Sequence, residues 1–463
     1  MKNDILRLNN ILQYKHDLLT LNYCSMEIEH SEIFGILVLE RRGLQDMIQL
    51  IRYNSEISYG YVEYEHKIVN TPNKRRSHEN KIYLISTTSN LIDNSTITEN
   101  FSIGSIPNLS IFYNKNKINR MLNDYFLEYQ ISISPDKLIL QLSPLDKLKI
   151  EVMKAVVYDY HLIILDNPAA ELGESDIEDF HSFIKTVSDH GYTFIYICFH
   201  HEQLKKICDH IAIYEHGHIG KVYQDYTRLS MDARIFGRAI YNNIKRQNSP
   251  MAAICQDQFV IYQEESGKRY FANSGEIVLY YGEGIRALRS LAYKITSFNN
   301  NRIIIDRSQS GKQLFPEMSY IDNLCFYLGE KKRSFWLRHR YKKSIRNEYR
   351  DIIGPIIDKE DLYDISETDK LNLLFYSIIL ARPEVAVFVS PLSRLDIPHR
   401  STAIHLLQKC RAKGITIVIL STELYDLLYI SDRLLFEKDG TLFEYRPDNY
   451  DKIPGVLPGI YSD

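Results

Sequence analysis

The feature that most constrains the fold of this chain is a repeat within its own sequence. The stretch 208–217 recurs as 431–440, so the offset is 431 minus 208, or 223 residues. The same offset relates four further pairs: Asn167-Pro168 and Ser390-Pro391, Glu171-Leu172 and Arg394-Leu395, Cys198 and Ser421, and Ser143 and Ser366. Because one offset fits all of these places, the chain is predicted to contain two similarly folded halves.

Each half has the same predicted order of elements. An apolar strand (162–165 and 385–389) is followed by a proline turn, an amphipathic helix and a second apolar strand (193–198 and 416–421). Alternating strands and helices predict an α/β fold with a mostly parallel sheet that helices cover on both faces. The 463 residues suit two domains. We place them at residues 1–248 and 249–463, with the boundary near Ser249-Pro250.

Composition excludes several classes of protein. The formal net charge of -3 argues against a general nucleic-acid binder, which normally has a basic excess. The six cysteines are scattered without a CxxC pair, so neither a disulfide framework nor a zinc site is expected. No signal peptide and no apolar stretch of membrane-spanning length are evident. These features favour a cytoplasmic protein without a membrane span of its own.

The order of motifs carries a resemblance to a known family. A strand, turn and helix are followed by a Leu-Ser turn that opens a helix, and then by an apolar strand ending in Asp-x-Pro; the most specific stretch is 161–172, HLIILDNPAAEL. The chain resembles the tandem ATP-binding subunits of bacterial ABC-type sugar importers for ribose, galactose and xylose. The resemblance implies two P-loop ABC-type nucleotide-binding domains, each with a mixed β-core, a parallel sheet and an α-helical subdomain. ATP and magnesium are the implied cofactors.

In such proteins the P-loop surrounds phosphates with backbone N–H groups, while a lysine neutralises charge and a hydroxyl holds magnesium. In the first half, Gly43 survives, but Leu44 stands at the lysine position and Gln45 at the hydroxyl position. In the second half the window begins at Gly282. There Leu288 stands at the lysine position and is followed by Arg289. Both phosphate sites are therefore expected to be degenerate.

Other nucleotide-contacting positions are also altered. Thr87 stands where the family has a glutamine, and Tyr14 where it has an aromatic that stacks on adenine. The signature turn retains Ser143, but 144–146 read Pro-Leu-Asp in place of two glycines and a glutamine. The second copy retains Ser366 and follows it with two carboxylates. These carboxylates would repel a triphosphate.

Hydrolysis in this family needs a magnesium-binding carboxylate, a following glutamate and a switch histidine. The first half retains Asp166, the one candidate metal ligand, but has Asn167 at the glutamate position and Phe199 at the switch position. The second half has Ser390 and Thr422 at those positions. No intact catalytic group is expected in either half.

The sequence therefore predicts a non-hydrolysing pseudo-ATPase. By the resemblance, its partners are the transmembrane permease subunits of an ABC transporter and a sugar-binding protein system, and it lies at the inner face of the cell membrane. One alternative is a working import motor that binds ATP through Arg41, Arg42 and Asp166. The other is a nucleic-acid-binding regulator using the basic segment 331–343, although no nucleic acid is expected from the net charge. That segment equally suits a helix that touches a permease or lipid headgroups.

Overall fold

The computed structural model describes residues 4–15, 17–76, 78–86, 89–103, 115–199, 201–224, 257–263, 267–282, 284–298, 301–307, 313–328, 339–393, 395–438 and 440–453. The chain divides into two compact units, Met1–Ala239 and Ile240–Asp463. The domain boundary predicted near Ser249-Pro250 lies outside the described residues, as do Thr87 and most of the basic segment 331–343.

The first unit contains two sheets. An antiparallel sheet has the order β2-β1-β4-β5-β6, and a six-stranded sheet has the order β11-β10-β3-β9-β8-β7. The strands are β1 Asp4–Lys15, β2 Leu18–Glu29, β3 Ile33–Val38, β4 Tyr59–Tyr64, β5 Lys67–Thr71, β6 Lys74–Arg75, β7 Ile82–Ile85, β8 Leu162–Asp166, β9 Thr193–Cys198, β10 His210–Glu215 and β11 His218–Tyr223. In the larger sheet only the β10–β11 pair is antiparallel. The carboxyl ends of the five strands from β10 to β7 in that order therefore meet at one edge.

Helices of the first unit follow these strands. They are α1 Leu44–Tyr53, α2 Ile97–Ser102, α3 Lys115–Glu128, α4 Pro144–Val157, α5 Glu174–Asp189 and α6 His201–Lys205. One apolar core joins both sheets to α1 and includes Phe34, Leu44 and Ile195. The helix α1 is amphipathic, and the buried residues Leu44, Met47, Ile48 and Ile51 form its inner face. This packing fixes the start of α1 at the edge where the parallel strands end.

The second unit repeats the larger sheet with the order β15-β16-β17-β14-β18-β19, and has a separate β12–β13 pair. Its strands are β12 Gln258–Gln263, β13 Arg269–Asn273, β14 Ile277–Tyr281, β15 Arg302–Asp306, β16 Val385–Val389, β17 Thr416–Ser421, β18 Arg433–Lys438 and β19 Thr441–Tyr445. Its helices are α7 Ile285–Phe298, α8 Tyr320–Leu324, α9 His339–Ile353, α10 Glu367–Ala381, α11 Ile397–Ala412 and α12 Tyr425–Leu428.

The sheet of the second unit is buried on both faces. Along β14, Ile277 and Leu279 join one apolar core, whereas Val278 and Tyr280 join another. Neighbouring residues of a strand point to opposite faces, so a strand covered on both sides must be apolar throughout. The prediction of an α/β fold with mostly parallel, helix-covered sheets is confirmed. The predicted strand at 162–165 extends one residue further, to Asp166.

Strand register gives a residue-by-residue match between the units. Gly35 of β3 lies opposite Tyr196 of β9, and Leu279 of β14 lies opposite Ile419 of β17. Tyr196 and Ile419 are 223 residues apart, so Gly35 corresponds to Leu279, an offset of 279 minus 35, or 244. That second offset also relates Leu44 to Leu288.

Among the described helices, none has both the length and the apolar character needed to cross a membrane.

Candidate functional site

The loop between β3 and α1 turns sharply at Gly43. This glycine caps α1 with a φ of 74°. A Cβ at this position would lie 2.0 Å from the carbonyl oxygen of Thr20 in β2, a distance that no side chain can adopt. The Tyr214 hydroxyl donates to the carbonyl oxygen of Arg42 over 2.9 Å and so holds the same loop from β10. The local chain packing therefore accounts for Gly43 without any ligand.

Leucine at the two lysine positions is part of the core. Leu44 is 0% exposed and Leu288 is 1% exposed. Each packs in the apolar cluster of its own unit. The N–H of Leu44 donates to the carbonyl oxygen of Arg41 over 3.0 Å, which closes a tight turn. Both side chains therefore lie in the core, where a lysine that binds phosphate would not lie. The N–H of Leu44 is already hydrogen-bonded within the chain.

The carboxylate of Asp166 is bound by side chains of the loop and of α1. Nη2 of Arg41 lies 3.0 Å from Oδ2 and 3.3 Å from Oδ1 of Asp166. Gln45 donates from Nε2 to Oδ2 over 3.2 Å. The Arg41 guanidinium also stands 5.4 Å from the ring centroid of Phe199. The side chain of Asp166 is only 8% exposed, so its charge is compensated mainly by the Arg41 guanidinium.

This arrangement does not fit a magnesium–phosphate site. Magnesium takes oxygen ligands and keeps several waters, and it needs a carboxylate that faces it. Here a guanidinium contacts both oxygens of Asp166, and Gln45 stands where the hydroxyl would be. Of the three groups suggested as unconventional ATP contacts, Arg41 and Asp166 are engaged with each other, and Arg42 is exposed.

The residues that directly follow β8 and β16 have the same backbone geometry. Asn167 and Ser390 adopt φ of 54° and 46°. Their N–H groups donate to the carbonyl oxygens of Ile197 and Leu420, over 2.9 Å and 2.8 Å respectively. The shape of this turn is thus kept in both units, although neither residue carries a carboxylate. At the switch positions, Phe199 is buried and Thr422 is half-buried.

The loop of the second unit differs in backbone conformation. The helix α7 begins at Ile285, so the three residues before Leu288 are helical, whereas α1 begins at Leu44 itself. The N–H of Leu288 donates to the carbonyl oxygen of Gly284 over 3.0 Å. Ala287 stands at the position that corresponds to Gly43. Because alanine disfavours a positive φ, the chain continues as a helix, and its N–H groups bond internally.

Side chains fill the surroundings of this second loop. A Cβ on Gly282 would lie 3.0 Å from Oε2 of Glu437, which accepts a hydrogen bond from the Tyr280 hydroxyl over 2.8 Å. Arg289 donates from Nε to Oδ2 of Asp306 over 2.9 Å. Asp306 ends β15, at the sheet edge where β14 also ends.

The two signature serines act as helix caps. The Ser143 hydroxyl accepts from the N–H of Asp146 at the start of α4 over 3.0 Å. The Ser366 hydroxyl accepts from the N–H of Asp369 at the start of α10 over 3.1 Å. Such N-caps typically contribute about 1 kcal/mol. Their retention is explained by the helices they open.

Tyr14 is the candidate for the adenine-stacking position. It is 52% exposed near the end of β1, where it pairs with Leu19 of β2. The structure describes no contact between Tyr14 and Asp166. Sequence analysis offered Arg41 as an unconventional ATP contact and missed its pairing with Asp166. One sign of this pairing is present in the sequence: the loop after β3 carries a basic side chain, and β8 ends in an acidic one.

The architecture of both units, and the residues at the edge where the parallel strands end, give the chain the tandem ABC-type ATPase fold. No protein-family model matches it. Its homologues are ribose and galactose import ATP-binding proteins. It is 23% identical over 457 residues to the ribose import ATP-binding protein RbsA of Bacillus licheniformis, covering 90% of this chain and 91% of that protein.

A second relative gives a similar match. The galactose/methyl galactoside import ATP-binding protein MglA of Haemophilus influenzae is 22% identical over 414 residues, 81% of each chain. Among solved structures, the complex of archaeal ribosomal stalk protein aP1 with the ribosome recycling factor aABCE1 matches 94% of this chain and 89% of that chain. The TM-score is 0.55 and the identity 12%, which is a likeness of fold alone. Both sets of matches extend over both units of the chain.

Proposed function

We propose that this protein is a non-hydrolysing member of the ATP-binding subunits of sugar import, and that it acts as a scaffold or regulator with a membrane permease. The observation that carries the proposal is the Arg41–Asp166 ion pair. The Arg41 guanidinium, a cation fixed within the chain, replaces the magnesium ion that would accompany a nucleotide. The proposed domains are residues 1–248 and 249–463, and the proposed location is the cytoplasmic face of the membrane.

The buried leucines support the same proposal. A phosphate site needs a mobile cation and free backbone N–H groups. Leu44 and Leu288 are committed to the two cores, and the N–H groups of both are bonded within the chain. We therefore expect binding of magnesium–ATP to be weak or absent at the degenerate sites.

The helical region of the first unit has exposed apolar side chains that a protein partner could cover: Ile92, Ile103, Leu127 and Leu140. By contrast, basic side chains of α9 are paired within the unit, Lys342 with Asp322 and Arg350 with Asp358. This pairing does not favour a nucleic-acid partner.

The test is equilibrium binding of ATP to the full chain by calorimetry, with and without magnesium, together with an assay of phosphate release. We expect neither saturable magnesium-dependent heat nor turnover above that of Asp166→Ala. Arg41→Ala removes the internal cation, and Arg42→Ala is its matched exposed control. Magnesium-dependent binding that Asp166→Ala abolishes would instead establish the working-motor alternative.

A further inference from the structure

The second unit contains a chain of three polar side chains at the start of α11. The Thr368 hydroxyl, in the first turn of α10, lies 3.1 Å from Nε2 of His399. Nδ1 of the same imidazole is in contact with a carboxylate oxygen of Asp396. Asp396 is the N-cap of α11 and accepts from the N–H of His399 over 3.1 Å. These bonds connect the first turns of α10 and α11.

The next residue extends the connection to a third segment. Arg400 donates from Nε to the carbonyl oxygen of Leu395 over 2.9 Å. Its Nη1 lies 2.8 Å from a carboxylate oxygen of Asp426 and 3.0 Å from one of Glu423. The side chain of Arg400 is 3% exposed, so this charge is held within the unit. The segment after β17 is thereby fixed to α11.

The first unit has none of this cluster. At the offset of 223 residues, the six side chains correspond to Leu145, Gly173, Asp176, Ile177, His200 and Gln203. None of these six residues has a hydroxyl, so they cannot form the same chain of a hydroxyl, an imidazole and a carboxylate. The equivalent turn of the first unit therefore serves as an internal control. The cluster is a property of the second unit.

The charge on His399 depends on the groups that face it. A hydrogen bond and the charge of Asp396, and then the charge of Glu367 in α10, raise the pKa of His399, whereas burial and Arg307 lower it. The net effect of these groups is to raise the pKa of His399 above its ordinary value. A folded pKa above the unfolded one means that the stabilisation is complete below the unfolded pKa and is lost as pH rises through the folded pKa. The neutral ring still accepts or donates each hydrogen bond, but the ion pair with Asp396 is gone.

We infer that the start of α11 is a proton-dependent clamp, which holds the first turn of α10 more firmly when His399 is protonated. Thr368, His399 and Asp396 form its titrating arm. Arg400, Glu423 and Asp426 form a second arm, which is an ion-pair cluster. This inference is independent of the proposed function, because it requires neither ATP nor a permease.

Hydrogen–deuterium exchange of the full chain tests the clamp. Peptides from α10 and α11 are compared at about pH 6 and about pH 8.5, after correction for the intrinsic exchange rate. In the wild type we expect protection to be lower at about pH 8.5 than at about pH 6, because the pKa of His399 is raised in the folded unit and its stabilisation is lost as pH rises. Peptides from α1 of the first unit should show no such fall.

Two variants and one control separate the clamp from general effects. His399→Gln should remove the pH dependence, and Asp396→Asn should reduce protection at about pH 6 while keeping the helix cap, since asparagine caps as well as aspartate. His405→Gln, on the same helix, should keep the fall in protection from about pH 6 to about pH 8.5, because burial lowers the pKa of His405 and its linkage therefore runs in the opposite direction. An unchanged pH profile in His399→Gln, or an equal loss in α1, would overturn the inference. Binding of ATP in the calorimetric test would leave it standing.

Discussion

Arg289 donates from its Nε to Oδ2 of Asp306 over 2.9 Å, and so forms in the second unit a guanidinium–carboxylate pair at the sheet edge. The strand register places Arg289 at the position of Gln45, which in the first unit contacts Asp166. The acidic partner, however, comes from a different strand, β15 rather than the counterpart of β8. Both units thus supply an internal cation at the same edge, from different residues.

Removal of the Arg41 side chain should destabilise the first unit. We expect Arg41→Ala to lower the free energy of unfolding by about 1 to 2 kcal/mol, because Asp166 would keep a largely buried charge and the hydrogen bond from Gln45 would be left to compensate it. The cost stays below that of a fully buried pair because the side chain of Arg41 is 31% exposed. Urea unfolding followed by circular dichroism measures it, with Arg42→Ala as control. Equal effects of the two variants would contradict this account.

Restoring the family lysine at position 44 should not restore a phosphate site. Leu44 is 0% exposed, so Leu44→Lys would place an amine in an apolar core, and we expect a loss of about 3 kcal/mol or more. Leu44→Met keeps the volume and should cost less than about 1.5 kcal/mol. Unfolding midpoints of both variants, together with ATP calorimetry on Leu44→Lys, give the comparison. A stable Leu44→Lys that binds ATP would refute it.

Gly43 and Gly191 form a matched pair for backbone effects. Both have a positive φ, 74° and 99°, but a Cβ on Gly43 would meet Thr20 at 2.0 Å, whereas one on Gly191 would meet nothing within 4 Å. We expect Gly191→Ala to cost about 1 kcal/mol from backbone strain alone, and Gly43→Ala to cost clearly more. Thermal unfolding of the two variants checks the order. The reverse order would show that the loop relaxes around a side chain.

The stability of the first unit should depend on pH through His181. This residue of α5 is 7% exposed, and burial lowers its pKa to about 4. The unfolded chain takes up a proton near pH 6.5, so this contribution to stability is present above about pH 6.5 and is lost as pH falls towards about 4. The full linkage amounts to about 3 kcal/mol.

His181→Gln isolates this contribution. The difference in unfolding free energy between wild type and His181→Gln should shrink as pH is lowered from about 7 to about 5. Phe183→Leu, a buried change in the same helix that adds or removes no titratable group, is the control and should shift stability equally at both pH values. Parallel pH profiles for wild type and His181→Gln would show that His181 does not titrate on unfolding.

Much of the fold could be predicted from sequence because apolar strands are local signals. The strands at 193–198, 385–389 and 416–421 occur as predicted, since each is buried on both faces and must be apolar throughout. The caps formed by Ser143 and Ser366 are likewise local, because a serine reaches an N–H three residues later.

The contacts around Asp166 are not local. Arg41 and Asp166 are 125 residues apart, and their pairing depends on the loop conformation that Gly43 and Tyr214 fix. The burial of Leu44 depends on how α1 packs between the two sheets. The early start of α7 is also a tertiary outcome, although Ala287 in place of a glycine is a local reason for it.

The different starts of α1 and α7 matter for anyone who would rebuild nucleotide binding into this chain. In the first unit the loop backbone still turns at a glycine, so the obstacles are side chains that can be exchanged. In the second unit Ile285, Arg286 and Ala287 are wound into the helix, and a new lysine at 288 would sit a full turn inside it. Engineering of that unit must therefore begin with backbone redesign rather than with side-chain replacement.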